Sequence, residues 1–280
     1  MEKSKSNPVA PTSRWMAAAR AKETEREDRL FHDPLAASLA GDEGFAWLER
    51  MEPAKHTMGG PGMYAVIRTR FFDDFLMDAC ESSGIRQVVL AAAGLDTRAF
   101  RLDWPSGVRL YEMDLPEVLD HKEAVVAGAN PTCERRMVRV DLKDETWPKA
   151  LLDAGYRADE PSVWLIEGLL FYLPRSAVHG LLDEVGELAA SGSRLGLDLM
   201  NWNLLFSPVA WPQLSALARR GAQGRFGTNA PEAFLARHGW EADAAQPGEE
   251  GANFGRLPDR SVPRSLPGIP RSFLVTAARP

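Results

Sequence analysis

Short apolar runs recur through the middle of the chain, and turn signals or polar residues follow within a few positions of each. Such runs are typical of strands that are buried on both faces of a parallel sheet. They lie at residues 87–90, 108–113, 137–140, 163–166 and 195–199. The intervening segments have apolar residues every three to four positions, which predicts helices over 117–127, 146–154 and 176–190. This alternation predicts βαβ units and an α/β fold.

Helical patterns dominate the chain before the first strand. They predict a helix over residues 13–29, a shorter helix that ends at Leu39, and a long amphipathic helix over 63–82. Residues 53–62 are rich in glycine and proline, which predicts a loop. Residues 1–12 contain prolines and no apolar core, so we expect a flexible tail.

Two later segments break the alternation. Residues 201–229 are rich in Trp, Phe, Pro and Gly, and residues 247–270 carry several prolines. In a doubly wound sheet, such long connections lie over the cleft at the carboxyl ends of the strands. A sixth short strand is predicted from Trp240 and a last strand over 272–277. We therefore predict one domain over 13–280, with cap elements at 13–62, 201–229 and 247–270.

Composition narrows the class of protein. The chain has 280 residues, of which 45% are hydrophobic and 26% charged, which suits one large globular domain. A net charge of −6 without a basic stripe argues against a nucleic-acid partner. No apolar run approaches the roughly 20 residues of a membrane helix, so no membrane partner is expected. Cys80 and Cys133 cannot make a disulfide framework, which indicates a cytoplasmic protein. The oligomeric state stays open.

Candidate chemistry lies where the first two strands end. Gly94 lets the backbone approach a ligand closely, although a tight strand-to-helix turn explains it equally well. Asp114 lies twenty residues after Gly94, where nucleotide-binding α/β domains place an acid on the ribose hydroxyls. A helix cap before Pro116 is the alternative role for Asp114. Glu112 is the second candidate for the ribose acid.

The third and fourth strands also end in acids. Asp141 is placed to accept the exocyclic amine of adenine, with Leu142 against the ring, or else to cap a helix. Glu167 directly follows a buried strand, where a charge without a partner is costly, so it is expected to face a ligand. Tyr172 is a candidate substrate contact, although packing is the commoner role. Together these signals predict one ligand-binding edge of the sheet.

Eight segments in this order resemble the leucine carboxyl methyltransferase family, which includes protein phosphatase methyltransferases and bacterial natural-product O-methyltransferases. The resemblance spans nearly the whole chain apart from the lid-like loops, and the blocks GLDTRAFRL and EGLLFYLP are its most specific parts. The segments are AARAKET (18–24), HDPLA (32–36), IRTRFFDDFL (67–76), VVLAAAGLDTRAFRL (88–102), YEMDLPEVLDHK (111–122), VDLKDETW (140–147), IEGLLFYLP (166–174) and SFLVTAAR (272–279).

This resemblance implies a Rossmann-like class I methyltransferase sheet, mostly parallel, with seven strands and the last one antiparallel. It also implies S-adenosyl-L-methionine as cofactor. The site residues that follow by motif are Arg68 on the methionyl carboxylate, Gly94 under the methionyl part, Asp114 on the ribose, Asp141 and Leu142 on the adenine, and Glu167 beside the methionyl part. Arg20 or Lys22 would add a second cation from the first helix.

Two positions have a competing interpretation. From the residues alone, Arg68 is also explained as a surface ion-pair partner of Asp73 or Asp74. Ala92 stands where many relatives carry glycine, and alanine is compatible with a cofactor-binding turn there if its φ is negative.

The acceptor chemistry is constrained by the pattern of bases. A carboxylate acceptor is already ionised at pH 7, whereas a phenol or alcohol needs a general base. His121 and His179 are expected on the surface, and His56, beside the glycine-rich loop, is the histidine to test as a base. The pattern therefore favours carboxyl methylation of a small-molecule acid over methylation of a phenol.

The cap segments are expected to form the substrate pocket. Its predicted apolar walls and polar contacts are Trp202, Phe206, Trp211, Phe226, Asn201 and Arg256, where Arg256 would hold an acidic substrate. The preferred acceptor is an aromatic polyketide acid in natural-product biosynthesis. Three alternatives remain: a protein C-terminal carboxyl methyltransferase, an NAD-dependent dehydrogenase that uses Asp114 on its ribose, and a catalytically silent S-adenosylmethionine-binding protein.

Overall fold

Seven strands form the sheet at the centre of the computed structural model, which describes residues 10–51, 61–208, 210–219, 223–257 and 261–280. The strands are β1 (Gln87–Ala91), β2 (Arg109–Asp114), β3 (Glu134–Arg139), β4 (Val163–Ile166), β5 (Arg194–Met200), β6 (Glu241–Ala245) and β7 (Ser272–Ala278). Their spatial order is β3-β2-β1-β4-β5-β7-β6. Strands β1 to β5 pair in parallel, and β7 is antiparallel to both β5 and β6. The predicted sheet, mostly parallel with an antiparallel last strand, is confirmed.

Helices cover both faces of this sheet. They are α1 (Ala10–Thr24), α2 (Ala36–Met51), α3 (Pro61–Glu81), α4 (Arg98–Arg101), α5 (Pro116–Val126), α6 (Trp147–Asp153), α7 (Arg175–Leu188), α8 (Trp202–Leu205), α9 (Trp211–Ala218) and α10 (Pro231–Ala236). One core joins alternate strand residues such as Val89 and Trp164 to α6, α7 and α10. A second core joins Val88 and Leu165 to α3. Because both faces are covered, the strands have continuous apolar runs rather than an alternating pattern.

Helices α1 and α2 form an additional layer outside α3. They pack together through Trp15, Leu39, Trp47 and Leu48, and their cluster includes Leu95 from the loop after β1. This places the amino-terminal helices over the carboxyl end of the first strand. Among the described residues, no helix is both long and apolar enough to cross a membrane.

The element bounds differ from the prediction where local signals mislead. Helix α1 ends at Thr24 rather than Arg29, and α2 continues to Met51 beyond a kink at Gly41, whose φ is 55°. Strand β3 begins three residues before the predicted start, because an edge strand carries polar residues that hide its period. The predicted irregular segment 201–229 contains two short helices, α8 and α9.

Candidate functional site

The carboxyl ends of four neighbouring strands bring the predicted cofactor residues to one edge of the sheet. Asp114 ends β2, Gly94 follows β1 by three residues, and Glu167 directly follows β4. Asp141 follows β3 by two residues. Because β3, β2, β1 and β4 are adjacent in this order, the four residues line a continuous edge that includes the switch point between β1 and β4.

Gly94 and Asp114 are connected directly. The Gly94 N–H donates to Asp114 Oδ2 at 2.6 Å, and the Leu115 N–H donates to Asp114 Oδ1 at 2.7 Å. Gly94 has a φ of 51°, which favours glycine, and an added Cβ would lie 3.1 Å from the hydroxyl of Ser13 in α1. Burial raises the pKa of Asp114 and outweighs these two hydrogen bonds, which lower it. The loop after β1 is therefore held on the carboxylate at the end of β2.

The second candidate for the ribose acid, Glu112, is engaged elsewhere. It is fully buried, 2.8 Å from the Nζ of Lys122 and 2.7 Å from a guanidinium nitrogen of Arg135. A buried carboxylate with two cationic partners is committed to that pairing. Of the two acids on β2, Asp114 is the one at the edge of the site.

The backbone at Ala92 does not have the negative φ that would let alanine fit this turn without strain. Its φ is 59°, in the left-handed region that L-residues other than glycine, asparagine and aspartate rarely adopt. The condition of a negative φ is therefore not met. The methyl group stands in a strained turn next to Gly94, which is itself in the left-handed region.

Replacing Ala92 with glycine is expected to stabilise the protein. The left-handed conformation costs an L-residue about 1–2 kcal/mol, and glycine returns about 0.5–1 kcal/mol through its larger unfolded-state entropy. The free energy of unfolding, measured by urea denaturation, should rise by about 0.5–1 kcal/mol. The neighbouring Ala93→Gly is the matched control, because Ala93 is buried and its φ is not positive; it should lose stability. A loss in both variants would contradict the strain at Ala92.

At the end of β3, Asp141 forms a turn. Its Oδ1 accepts the Lys143 N–H at 3.0 Å, and its Oδ2 lies 3.2 Å from the Lys143 Nζ. The carboxylate stays partly exposed beside the end of β2, and Leu142 packs half-buried against the core under α6. Their predicted contact with adenine stays a prediction. The competing role of Asp141 as a helix cap is wrong, because the next helix, α6, has Thr146 at its N-cap position.

Arg68 lies inside the protein rather than on the surface of α3. Its Nη1 is 2.6 Å from Asp198 Oδ2, and its Nε is 2.9 Å from Glu167 Oε1. Burial disfavours the charge, but the carboxylates of Asp198 and Glu167 outweigh it and raise the pKa of Arg68. The surface ion-pair interpretation with Asp73 or Asp74 is wrong, because the carboxylates that hold Arg68 come from the ends of β4 and β5.

Asp198 is a residue of this site that the sequence analysis missed. It is fully buried on β5 and also accepts the Gly168 N–H at 2.7 Å and the Tyr64 hydroxyl at 3.1 Å. The available signal was an acid in the middle of the apolar run 195–199, where a charge requires partners. Asp198 holds Arg68, Tyr64 and the turn after Glu167 in one arrangement.

Glu167 starts a chain of buried ion pairs that runs beneath the site. The pairs link Glu167 to Arg98 at 3.0 Å, Arg98 to Asp73 at 2.7 Å, Asp73 to Arg101 at 2.6 Å, Arg101 to Asp33 at 4.0 Å and Asp33 to Arg20 at 2.8 Å. Burial raises the pKa of Glu167, but its two arginine partners outweigh burial and lower it. The chain joins residues from AARAKET, HDPLA, IRTRFFDDFL, GLDTRAFRL and EGLLFYLP, which are five of the segments that carry the family resemblance.

The first helix supplies Arg20 rather than Lys22 to this region. Arg20 is buried, and its Nη2 donates to the carbonyl oxygen of Leu95 at 2.6 Å, in the loop that follows β1. Lys22 is exposed. Arg20 therefore fixes the glycine-containing loop through its backbone.

The predicted substrate residues have mixed roles. Tyr172 lies half-buried near Arg68 and Asp198, against the cluster of α1 and α2. Asn201 caps α8, accepts backbone N–H groups of Leu204 and Arg271 at 2.9 Å and donates to Ile269 O at 2.8 Å. Its Oδ1 accepts two backbone N–H groups and its Nδ2 donates to one carbonyl, which gives Asn201 a structural role, and its contact with substrate stays a prediction.

Trp202 and Arg256 lie on different cap segments. Trp202 stacks on Phe206, with ring centroids 6.1 Å apart. Arg256 is buried between Glu23 at 2.5 Å and Asp28 at 2.7 Å, so it ties the segment 247–257 to the end of α1. Its predicted role as a cation for an acidic substrate does not suit this paired state. His56 lies outside the described residues.

A mostly parallel, Rossmann-like sheet thus presents these acids at its carboxyl edge. A solved structure from Thermobifida fusca, described as a methyltransferase, shares the fold with a TM-score of 0.63 and 17% identity over 95% of this chain and 94% of its own. The sequence profile described as leucine carboxyl methyltransferase matches residues 13–186.

Two bacterial relatives extend this match over most of the chain. A protein of Streptomyces avermitilis, described as an S-adenosyl-L-methionine-dependent methyltransferase, is 40% identical over 89% of this chain and 90% of its own length. A protein of Streptomyces coelicolor with the same description is 40% identical over 93% and 94%. The chain therefore belongs to the leucine carboxyl methyltransferase family and is an S-adenosyl-L-methionine-dependent methyltransferase.

The residues at the carboxyl edge suit this cofactor. Each oxygen of Asp114 accepts one backbone N–H and retains a second lone pair, which ribose hydroxyls require. The buried Nε of Arg68 lies 2.9 Å from Glu167 Oε1 without a well-aligned hydrogen bond, so this cation is held at the carboxyl edge mainly by charge. Asp96 and Glu167 keep 16% and 19% of their side-chain surfaces exposed, which leaves carboxylate surface for a cationic part of the cofactor.

Proposed function

We propose that this enzyme methylates an oxygen atom of a small, largely apolar molecule, and that the preferred acceptor is a carboxylate oxygen. The observation that carries the proposal is that the acids around Arg68 are committed to ion pairs: Asp198 lies 2.6 Å from Arg68, and Glu167 lies 2.9 Å from Arg68 and 3.0 Å from Arg98. Neither acid is free to act as a base. Such a site positions an acceptor that is already a nucleophile rather than removing a proton from it.

The individual groups support this reading. The pKa of Glu167 is lowered because Arg68 and Arg98 outweigh its burial. Burial raises the pKa of Tyr172 and, together with Asp198, that of Tyr64. A general base for a hydroxyl acceptor works best with a pKa near 7, and none of these three groups moves towards that value.

The cofactor supplies an electrophilic methyl group on a sulfonium with a neutral leaving group. The contribution of the chain is then binding, alignment and exclusion of water. Arg68, held by Asp198 and Glu167, keeps one geometry at the carboxyl ends of β4 and β5. Tyr172 supplies a wall there, since it packs against the cluster of α1 and α2.

The segment 201–219 favours an apolar acceptor. Phe206 and Trp211 are 73% and 62% exposed, and Ala216 of α9 packs on the same cluster as Tyr172. Helix α9 carries no charged residue. Exposed aromatic surface of this kind often marks a binding site. We therefore propose an aromatic acid of the polyketide type, a role in natural-product biosynthesis and a cytoplasmic location.

A label-transfer assay tests the proposal. The purified enzyme is incubated with methyl-tritiated S-adenosylmethionine and, separately, with aromatic acids, phenols and a peptide that ends in leucine. Methyl esters release labelled methanol in mild base, whereas phenol ethers retain the label. We expect base-labile label from the aromatic acids and none from Asp114→Ala.

Each other result has a distinct meaning. Base-stable label would indicate hydroxyl methylation, and label on the peptide alone would indicate a protein C-terminal carboxyl methyltransferase. Cofactor binding without transfer to any acceptor would support the catalytically silent alternative. The dehydrogenase alternative is replaced by the family assignment.

A further inference from the structure

The ion-pair chain beneath the site carries unequal numbers of positive and negative groups. Within the part of the chain that the structure describes, it contains four arginines and five carboxylates. Its members are Arg20, Arg68, Arg98 and Arg101, and Asp33, Asp73, Asp96, Glu167 and Asp198. One negative charge is therefore in excess. The neighbouring group of Glu112, Glu123, Lys122 and Arg135 contains two carboxylates and two cations, so it is balanced within itself.

Two of the five carboxylates in this series of ion pairs are partly exposed to solvent. Asp96 and Glu167 keep 16% and 19% of their side-chain surfaces exposed, whereas those of Asp33, Asp73 and Asp198 are at most 6% exposed. Both share one nitrogen, Nη1 of Arg98, which pairs with Asp96 and lies 3.0 Å from Glu167. The excess charge is thus presented where two acids compete for one guanidinium group.

Asp96 is fixed in this position by the backbone. Its Oδ1 accepts the N–H of Arg98 at 2.7 Å, at the start of α4, two residues after Gly94. Burial raises the pKa of Asp96, but Arg98, Lys122, Arg101 and Arg20 lower it to about 2. The carboxylate is therefore charged at any pH at which the enzyme works.

We propose that Asp96 is a specificity residue for the charge of the cofactor, which, with Glu167, favours the cationic sulfonium over the neutral thioether product. The proposal rests on S-adenosylmethionine as methyl donor and goes beyond it. S-adenosylmethionine carries a net charge of about +1, which balances the excess carboxylate, whereas S-adenosylhomocysteine is neutral. At an effective dielectric of about 20, the attraction between opposite charges a few ångströms apart is strong enough to change an affinity by at least about tenfold.

The expected consequence is that the demethylated cofactor is released more easily after transfer. After transfer, the site would again hold one uncompensated carboxylate, so the product is bound less tightly than the substrate form of the cofactor. Asp96 therefore acts on the cycle without contacting the acceptor. This role differs from that of Asp114, which binds a part common to both forms of the cofactor.

Calorimetric titrations with three probes test the proposal. The probes are S-adenosylmethionine, S-adenosylhomocysteine and sinefungin, in which an amine replaces the sulfonium and preserves the positive charge. In the natural enzyme we expect both cations to bind about tenfold more tightly than S-adenosylhomocysteine. Asp96→Asn, which keeps the oxygen for the Arg98 N–H, should reduce this ratio below about threefold.

Two further variants make the test specific. Asp103→Asn removes the same charge from an exposed position seven residues away and should leave the ratio unchanged. Asp96→Glu keeps the negative charge and should keep the ratio of the natural enzyme. If Asp96→Asn acted through loss of local folding, Asp96→Glu would not be expected to keep the ratio. Equal binding of all three probes to the natural enzyme, or an unchanged ratio in Asp96→Asn, would overturn the inference. Failure of every probe to bind would instead overturn the cofactor assignment.

Discussion

Asp114→Ala is expected to raise the dissociation constant for S-adenosylmethionine by about a hundredfold or more. Asp114 retains one free lone pair on each oxygen for the ribose hydroxyls, and hydrogen bonds to a charged group contribute about 1.5–3 kcal/mol each. The variant also removes the acceptor of the Gly94 N–H, so the loop after β1 loses one of its hydrogen bonds to β2 and keeps the one from the Ala93 N–H to Met113 O. Isothermal titration calorimetry measures the change directly.

The control for this variant is the acid at the end of the next strand. Asp141→Ala removes a partly exposed carboxylate from a local turn with Lys143, so affinity should fall only a few-fold. Asp114→Asn keeps the oxygen for Gly94 and separates loss of the charge from collapse of the loop. If Asp114→Ala stays folded by circular dichroism and binds the cofactor normally, the ribose must be held elsewhere.

The sequence predicted the edge of the sheet well because of its connectivity. Once strands alternate with helices, right-handed crossovers bring all carboxyl ends to one edge, so Gly94, Asp114 and Glu167 had to lie near one another. The apolar runs identified those strands because helices cover both faces. Neither inference requires knowledge of a single side-chain contact.

The contacts between side chains were beyond this kind of reasoning. Arg68 and Asp198 are 130 residues apart, and nothing in their spacing indicates that they pair. Arg256 looked like a free cation in a loop, whereas it pairs with Glu23 from a segment more than 200 residues earlier. The conformation of Ala92 likewise depends on the tertiary position of the turn, because its residue type argues against a positive φ.

Asp73→Ala is expected to cause a large decrease in the free energy of unfolding. Asp73 lies on helix α3 directly before a second aspartate, Asp74. Asp73 Oδ1 accepts Arg98 Nε at 2.7 Å and Arg101 Nη2 at 2.8 Å, while Oδ2 accepts Arg101 Nη1 at 2.6 Å. The carboxylate is 6% exposed and its two partners at most 3%. Removing one partner of a buried ion pair costs about 3–5 kcal/mol, because the other charge stays buried without compensation.

Its neighbour Asp74 provides the matched control. Asp74 is 50% exposed and pairs with Arg70 one helical turn away, an arrangement that contributes about 0.3–0.5 kcal/mol. By differential scanning calorimetry we expect Asp73→Ala to lower Tm by about 10 °C and Asp74→Ala by about 1 °C. Equal shifts in the two variants would mean that Glu167, Asp96 and Asp33 compensate both arginines without Asp73. A large shift for Asp73→Ala alone would show that this carboxylate is a main link between α3 and the segment after β1, beside the hydrogen bond from Arg98 Nη2 to Thr69 O.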